Sequence, residues 1–295
     1  MLPQPTDAFD WVQASGGPAL VCRPLASLAP HLFTTRGWAL GSRTGQDSGE
    51  AWDQVAAAMQ VDRSHLVRVH QVHGASVVVR RANQAAAPAV PAARPDADII
   101  VSNDCSFALA IQTADCVPLL ISYRAERADA WSRAVVAAHA GWRGLAARVP
   151  MVAVDVVRHE FGAGPADLVA AIGPSIGACC YEVGDDVRRR FENAGFSAQQ
   201  LARWFAGEPH WSDRNPSMPG LSPQRSANHW FFDGWAAARE QLIAAGVPTQ
   251  QIYSADLCTA SHADAFCSYR RDGAPAGRLA AVIRACRAIA TPPVK

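Results

Sequence analysis

The sequence predicts an α+β fold, because short apolar runs of strand length alternate with stretches of helical apolar spacing. Its 295 residues are 49% hydrophobic, enough to fill a sizeable core, and no composition break gives a clean domain boundary. No GxGxxG or GxxxxGK[ST] loop interrupts the alternation, so no motif supports the common nucleotide-binding folds.

The elements follow in order. From Leu66 to Arg80, LVRVHQVHGASVVVR reads as strand, turn and strand, broken at Gly74 with the polar QVHG between. ANQAAAPAVPAARP, near residues 81–95, reads as a surface loop of low complexity. ADIIVSN and FALAIQTADCVPLLISY supply buried strand-like runs, the second interrupted by Thr113, Ala114, Asp115 and Cys116 before Pro118. AVVAAHAGWRG gives a strand ending at His139, and from Gly144 the spacing predicts one amphipathic helix through Pro150. A strand over Leu168–Ile172 precedes a helix after Gly184, whose first turn Asp185 can complement. Residues 196–230 show no clear period and read as an irregular excursion. Asp233 precedes an Ala-rich helix, QIYSADLCT is strand-like, and RLAAVIRAC is a further core strand.

Charge and cysteine usage narrow the function. With 27 Lys+Arg against 26 Asp+Glu, the net charge of +1 provides no global field for nucleic acid or an anionic membrane, so neither is an expected partner. The N-terminus lacks the basic and apolar regions of a secretory signal, and no apolar run is long enough to span a bilayer, which places the protein in the cytoplasm. Eight cysteines without regular spacing do not read as a disulfide framework. The expected state is a monomer or weak homodimer.

Three segments put a metal-ligating side chain at a predicted strand end: His73 in QVHG, Cys116 in TADC and His139 in HAGWRG. Separations of 43 and 23 residues must be closed by the fold. Two imidazoles and a thiolate with an open fourth position are what a catalytic zinc takes, although a lone His or Cys is more often a packed residue. His70 competes with His73. Strand alternation would send the two to opposite faces, and the Gly-flanked His73 is the freer.

The segments RVHQVHGASVV, ADIIVSN, ALAIQTADCVPLL, AAHAGWRGLA, AAIGPSIGACCYEVGDDV and DLCT followed by FCSYRRDG resemble the family variously labelled purine nucleoside phosphorylase, laccase-domain or polyphenol oxidase-like protein, and peptidoglycan editing factor, over roughly residues 30 to 285. That resemblance implies a single domain over 1–295 with a four-layer α/β/β/α sandwich of mixed sheets. It also implies one zinc per chain on His73, Cys116 and His139. The implied activities are phosphorolysis of adenosine, inosine, guanosine and methylthioadenosine, and deamination of adenosine, so the expected partners are purine nucleosides and phosphate. Cys116, His139 and the proton-managing Asp115 would then be catalytic.

Arg143 is the leading phosphate candidate, since a guanidinium forks onto two oxygens. Arg36 and Arg270 are secondary candidates on the family's Arg motifs. Gln71 and Gln112 would orient ligands or bind the base, and Cys180 either faces the pocket or packs as a structural thiol. FTTRGWALGSRTG keeps Thr35 and Arg36 but departs from the family's Gly-Gly-Val-Ser loop that follows. Three rivals remain: a precursor-editing amidase acting on UDP-MurNAc-amino acids, a phenol-oxidising copper enzyme, and a binding protein without activity. Copper is not expected, because nine dispersed histidines contain no HxH pair.

Overall fold

The computed structural model describes residues 1–42, 49–82, 94–123, 134–221 and 226–285. Most of the predicted loop near 81–95, part of the altered N-terminal loop and Cys286 lie outside them.

Two mixed sheets carry the fold. In chain order the strands are β1 (Phe9–Ala14), β2 (Gly17–Cys22), β3 (His31–Thr34), β4 (Leu66–Val67), β5 (Val77–Arg80), β6 (Ile99–Ser102), β7 (Ala108–Thr113) and β8 (Val117–Tyr123). They continue with β9 (Val135–Ala140), β10 (Leu168–Ile172), β11 (Glu182–Gly184), β12 (Phe205–Ala206), β13 (His229–Phe232), β14 (Ile252–Ser254) and β15 (Leu279–Arg284). The first sheet runs β1-β2-β3-β15-β7-β4 and the second β14-β10-β8-β9-β6-β5, while β11-β13-β12 form a small third sheet. The β4–β7, β5–β6 and β10–β14 pairs are parallel and the other pairs antiparallel, so both large sheets are mixed, in agreement with the predicted class.

Period-two alternation decides which core each residue joins. Leu109 and Ile111 of β7 meet Leu120 of β8 and Val135 and Ala137 of β9 in a core between the two sheets. The intervening Ala108 and Ala110 face the other way, onto Trp52 and Val55 of helix α2 (Gly49–Ala58), which follows the short α1 (Arg23–Ala26). On the far side of the second sheet, Leu119, Val136 and Ala138 pack against the helices α4 (Val149–Phe161), α5 (Asp185–Asn193) and α7 (Gly234–Ala244).

Three expectations are corrected. The helix predicted from Gly144 through Pro150 is two: α3 (Trp142–Ala146) ends at a break where Arg148 takes φ 62°, and Pro150 sits in the first turn of α4. Proline fits there because that N–H has no intrahelical acceptor to lose. The excursion 196–230 contains α6 (Ala198–Trp204) with a capping box of Ser197 and Gln200, followed by β12, and β13 begins at its end. Seven residues are too few to display a period, although the cap was readable. His73, expected at a strand end, stands on an irregular segment instead. Four-residue α8 (Tyr269–Asp272) completes the helices described.

Candidate metal centre

Both sheets contribute to one convergence. The chain leaves the first sheet at β4 and enters the second at β5, and His73 lies on that crossing. A second crossing, from β7 to β8, carries Asp115 and Cys116, and His139 sits near the end of β9 in the second sheet. One ligand atom each from His73, Cys116 and His139 lie within 4.8 Å of one another.

Local interactions place each ligand. Gln71 acts as a substitute strand partner: its Nε2 donates to the Gln112 carbonyl at 2.7 Å and its Oε1 accepts from the Gln112 amide at 2.7 Å. The backbone then turns, and His73 takes φ 61°, a left-handed conformation uncommon for a side chain with a Cβ. Of the two competing histidines His73 lies with Cys116 and His139, and strand alternation is not what separates them. His70 is held outside, with its Nδ1 2.7 Å from Asp96 and its amide donating to Pro95.

Asp115 is also left-handed at φ 91°, and its buried carboxylate is fully engaged. Oδ1 accepts from the Thr259 hydroxyl at 2.6 Å and Oδ2 from the Arg270 amide at 2.6 Å. Burial raises its pKa and those donors oppose the rise. The geometry therefore anchors the turn that presents Cys116.

Gly141 closes the packing from the β9 side. A Cβ there would stand 2.9 Å from Cys116 Sγ and 3.3 Å from His73 Cδ2, so only glycine lets the three ligands approach.

Asp98, fully buried just before β6, organises the centre from behind. Oδ1 accepts from His139 Nδ1 at 2.8 Å and from the His73 amide at 3.0 Å, and Oδ2 accepts from the Gly74 amide at 2.7 Å. Although burial would raise the Asp98 pKa, the hydrogen bonds and charge of His139 and the amides of Gly74 and His73 bring it below the usual range. An ionised Asp98 can only accept, so His139 carries its proton on Nδ1 and keeps Nε2 for an ion. Sequence reasoning had this residue in view within ADIIVSN and gave it no role.

Charges around the thiol agree. Burial alone would raise the Cys116 pKa, but His139 and then His73 bring it down to about 6. Burial would lower His139, yet Cys116 and Asp98 push it up to about 9. Without an ion the pair therefore favours a thiolate beside an imidazolium, and an ion that binds Nε2 displaces its proton while Asp98 keeps the one on Nδ1. Half-buried Tyr181 marks where further charges meet: its pKa is raised by desolvation and by Cys116 and Asp115, and opposed by Arg270 and Arg143.

The remaining candidates separate. Exposed Arg143 begins α3 with its guanidinium 4.2 Å from the Trp142 ring. Arg270 lies 5.1 Å from the Tyr181 ring and donates to the Glu182 carbonyl at 2.6 Å. Arg36 bonds the Ala263 and Ala265 carbonyls rather than any ligand. The Gln112 side chain accepts from Arg68 at 3.1 Å, on the α2 side of β7. Cys180 joins Cys179 and Cys258 in a separate buried cluster.

The family described as multi-copper polyphenol oxidoreductase laccase matches residues 44–286. The chain belongs to this family. Within it, a purine nucleoside phosphorylase of Deinococcus radiodurans is 33% identical over 282 residues, covering 92% of this chain and 94% of that protein. Adenosine deaminase RL5, from an unknown prokaryotic organism, is 31% identical over 239 residues, 79% of this chain and 81% of its own. The crystal structure of Bacillus licheniformis hypothetical protein YfiH superimposes with a TM-score of 0.76 at 26% identity, covering 94% of this chain and 99% of that one.

Proposed function

We propose that this chain is a zinc-dependent purine nucleoside enzyme, catalysing phosphorolysis of adenosine, inosine, guanosine and methylthioadenosine and deamination of adenosine. The observation that carries the reading is the donor set: two imidazoles and one thiolate converge within 4.8 Å, one of them fixed by a buried carboxylate. That set fits zinc with a fourth position for water or substrate. The substrate class is supported by relatives named as a purine nucleoside phosphorylase and an adenosine deaminase.

His73, Cys116 and His139 would hold the zinc, which would supply Lewis-acid chemistry at this centre. Asp98 holds His139 in the ligating tautomer. Exposed Arg143, four residues after His139, offers its fork to phosphate while its guanidinium stacks over the Trp142 ring. Asp115, engaged on both oxygens, keeps Cys116 and the Arg270 backbone in register. Oxidation of phenols at a multicopper centre has no support from these donors.

The test is metal analysis of protein purified without added metal, together with assays of adenosine plus phosphate. One zinc per chain is expected, and His139→Ala should lose roughly 100-fold or more of nucleoside turnover. Copper in place of zinc on His73, Cys116 and His139, full turnover by the variant, or faster cleavage of a UDP-MurNAc-Ser type amide than of any nucleoside would each overturn the reading.

A further inference from the structure

Away from the metal centre, the described residues hold a second cluster of metal-ligating side chains. The sulfurs of Cys179, Cys180 and Cys258 lie within 4.8 Å of one another, and each residue is at most 1% exposed. It shares no residue with the first.

Two segments remote in sequence build this cluster. The turn that carries Cys179 and Cys180 closes when the Cys180 amide donates to the Gly177 carbonyl at 2.9 Å. Cys258 is set beside it by a bridge to Ser175 and by Asn215, whose Oδ1 accepts from the Cys258 amide at 2.8 Å. Two further backbone amides point at sulfur, from Gly177 to Cys258 Sγ at 3.3 Å and from Met218 to Cys180 Sγ at 3.1 Å. Against its burial, the neighbouring thiols and the Gly177 amide favour the thiolate at Cys258. The adjacent sulfur of Cys258 and burial push Cys179 and Cys180 up, so their protons leave only when an ion takes their place. The shell is otherwise apolar, with Ile176, Ala260, Met218 and Trp235.

We propose that Cys179, Cys180 and Cys258 form a three-coordinate trithiolate site for a soft monovalent cation, copper(I). Sulfurs about 2.3 Å from a shared ion stand roughly 4 Å apart, within the spacing seen here. Thiolates select copper(I) and zinc among the common ions, and structural zinc is closed by four protein ligands. Among the described residues, the hydroxyl that approaches two of the sulfurs belongs to Ser261, at 3.5 and 3.4 Å, and it already donates to the Pro216 carbonyl. Among the described residues no fourth Cys, His, Asp or Glu joins the three sulfurs, and the Met218 thioether in the shell is a soft donor that zinc does not favour, so the set suits copper(I). Binding transfers no electron: the ion arrives as copper(I) and the thiols release their protons to solvent.

A short segment roofs the cluster. Ser217 donates to the Cys179 carbonyl at 2.9 Å, and together with Pro216 it also lines a surface groove with Glu208, Pro209 and Trp211. Ions can enter by displacing this short cover.

The experiment is an anaerobic titration of the zinc-loaded full chain with copper(I) delivered from its bicinchoninate complex. The wild type should take up one equivalent with thiolate-to-copper absorption in the near ultraviolet. Cys179→Ser and Cys258→Ser should each lose that equivalent, and Cys105→Ser, at an exposed position, should keep it. Copper X-ray absorption on the wild type reads the ligands without any variant, and three sulfurs with no imidazole is the expected result. Imidazole in the copper shell, a full equivalent retained by the two cluster variants, or zinc taken up on these sulfurs in place of copper(I) overturns the proposal.

Discussion

Asp98 shows how one buried carboxylate can set a whole site. It receives two backbone amides from the first crossing and the imidazole of His139, so removing it frees both the loop and the ring. Asp98→Ala should weaken zinc binding about 10- to 100-fold in a chelator competition, and an unchanged affinity would exclude its role. Gly141→Ala should also weaken binding in the same competition, because the added methyl must share space with Cys116 Sγ and His73. His31 carries a pH effect away from the centre. Its Nε2 accepts from the Cys22 amide at 2.9 Å and its Nδ1 lies 3.0 Å from the Ala29 carbonyl, which requires neutral imidazole. Burial lowers its pKa from 6.5 to about 4, with the Ala29 bond opposing. Below pH 6.5 the unfolded chain takes up a proton that the native state refuses. Stability is therefore present above that pH and falls, by up to about 3 kcal/mol, as pH drops through the folded value. Urea midpoints between pH 7 and pH 4 should show this slope in the wild type and a shallower one in His31→Gln. Although His73 and Cys116 stand on crossings rather than at strand ends, the three ligands were readable as residue types in QVHG, TADC and HAGWRG, and the family resemblance joined them. Asp98 was not, because a carboxylate before an apolar strand gives no sign of its burial until the ends of β5, β6 and β9 are brought together.

At the scale of elements, caps and breakers were more readable than periods. Asp233 accepts from the Ala236 amide at 2.9 Å and starts α7, Asp185 opens α5, and the strand over Leu168–Ile172 has the expected bounds. Pro150 carried the right signal with the wrong meaning, since a proline can open a helix as readily as bend one. In α6 the Ser197–Gln200 capping box substitutes for length. Replacing Ser197 by Ala should cost about 1 kcal/mol in urea unfolding, and Ser197→Asp should recover most of it. A Ser197→Ala protein as stable as wild type would mean that burial of Leu201 and Trp204 alone holds the helix.

For the molecule as a whole, the centre joins two sheets. His73 and Cys116 stand on segments that pass from the first sheet to the second, and His139 belongs to the second. An ion held by all three therefore binds only the state in which the sheets are docked. It should raise stability by about 2.7 kcal/mol when free zinc is 100 times the dissociation constant, visible as a melting temperature that falls on adding chelator. A melting temperature indifferent to zinc would argue that the ligands converge without the sheets. The sheet order itself was beyond the sequence, because strand pairing depends on contacts between residues far apart in the chain. Its least readable entry is β15, which pairs with β3 on one side and β7 on the other. On the ribosome, the first sheet has a gap in its middle until Leu279–Arg284 has emerged, with β7 and the thiol turn after it lacking their neighbour. Nascent chains stopped short of β15 should thus capture no zinc, and a newly made molecule would acquire its metal only after Leu279–Arg284 is released.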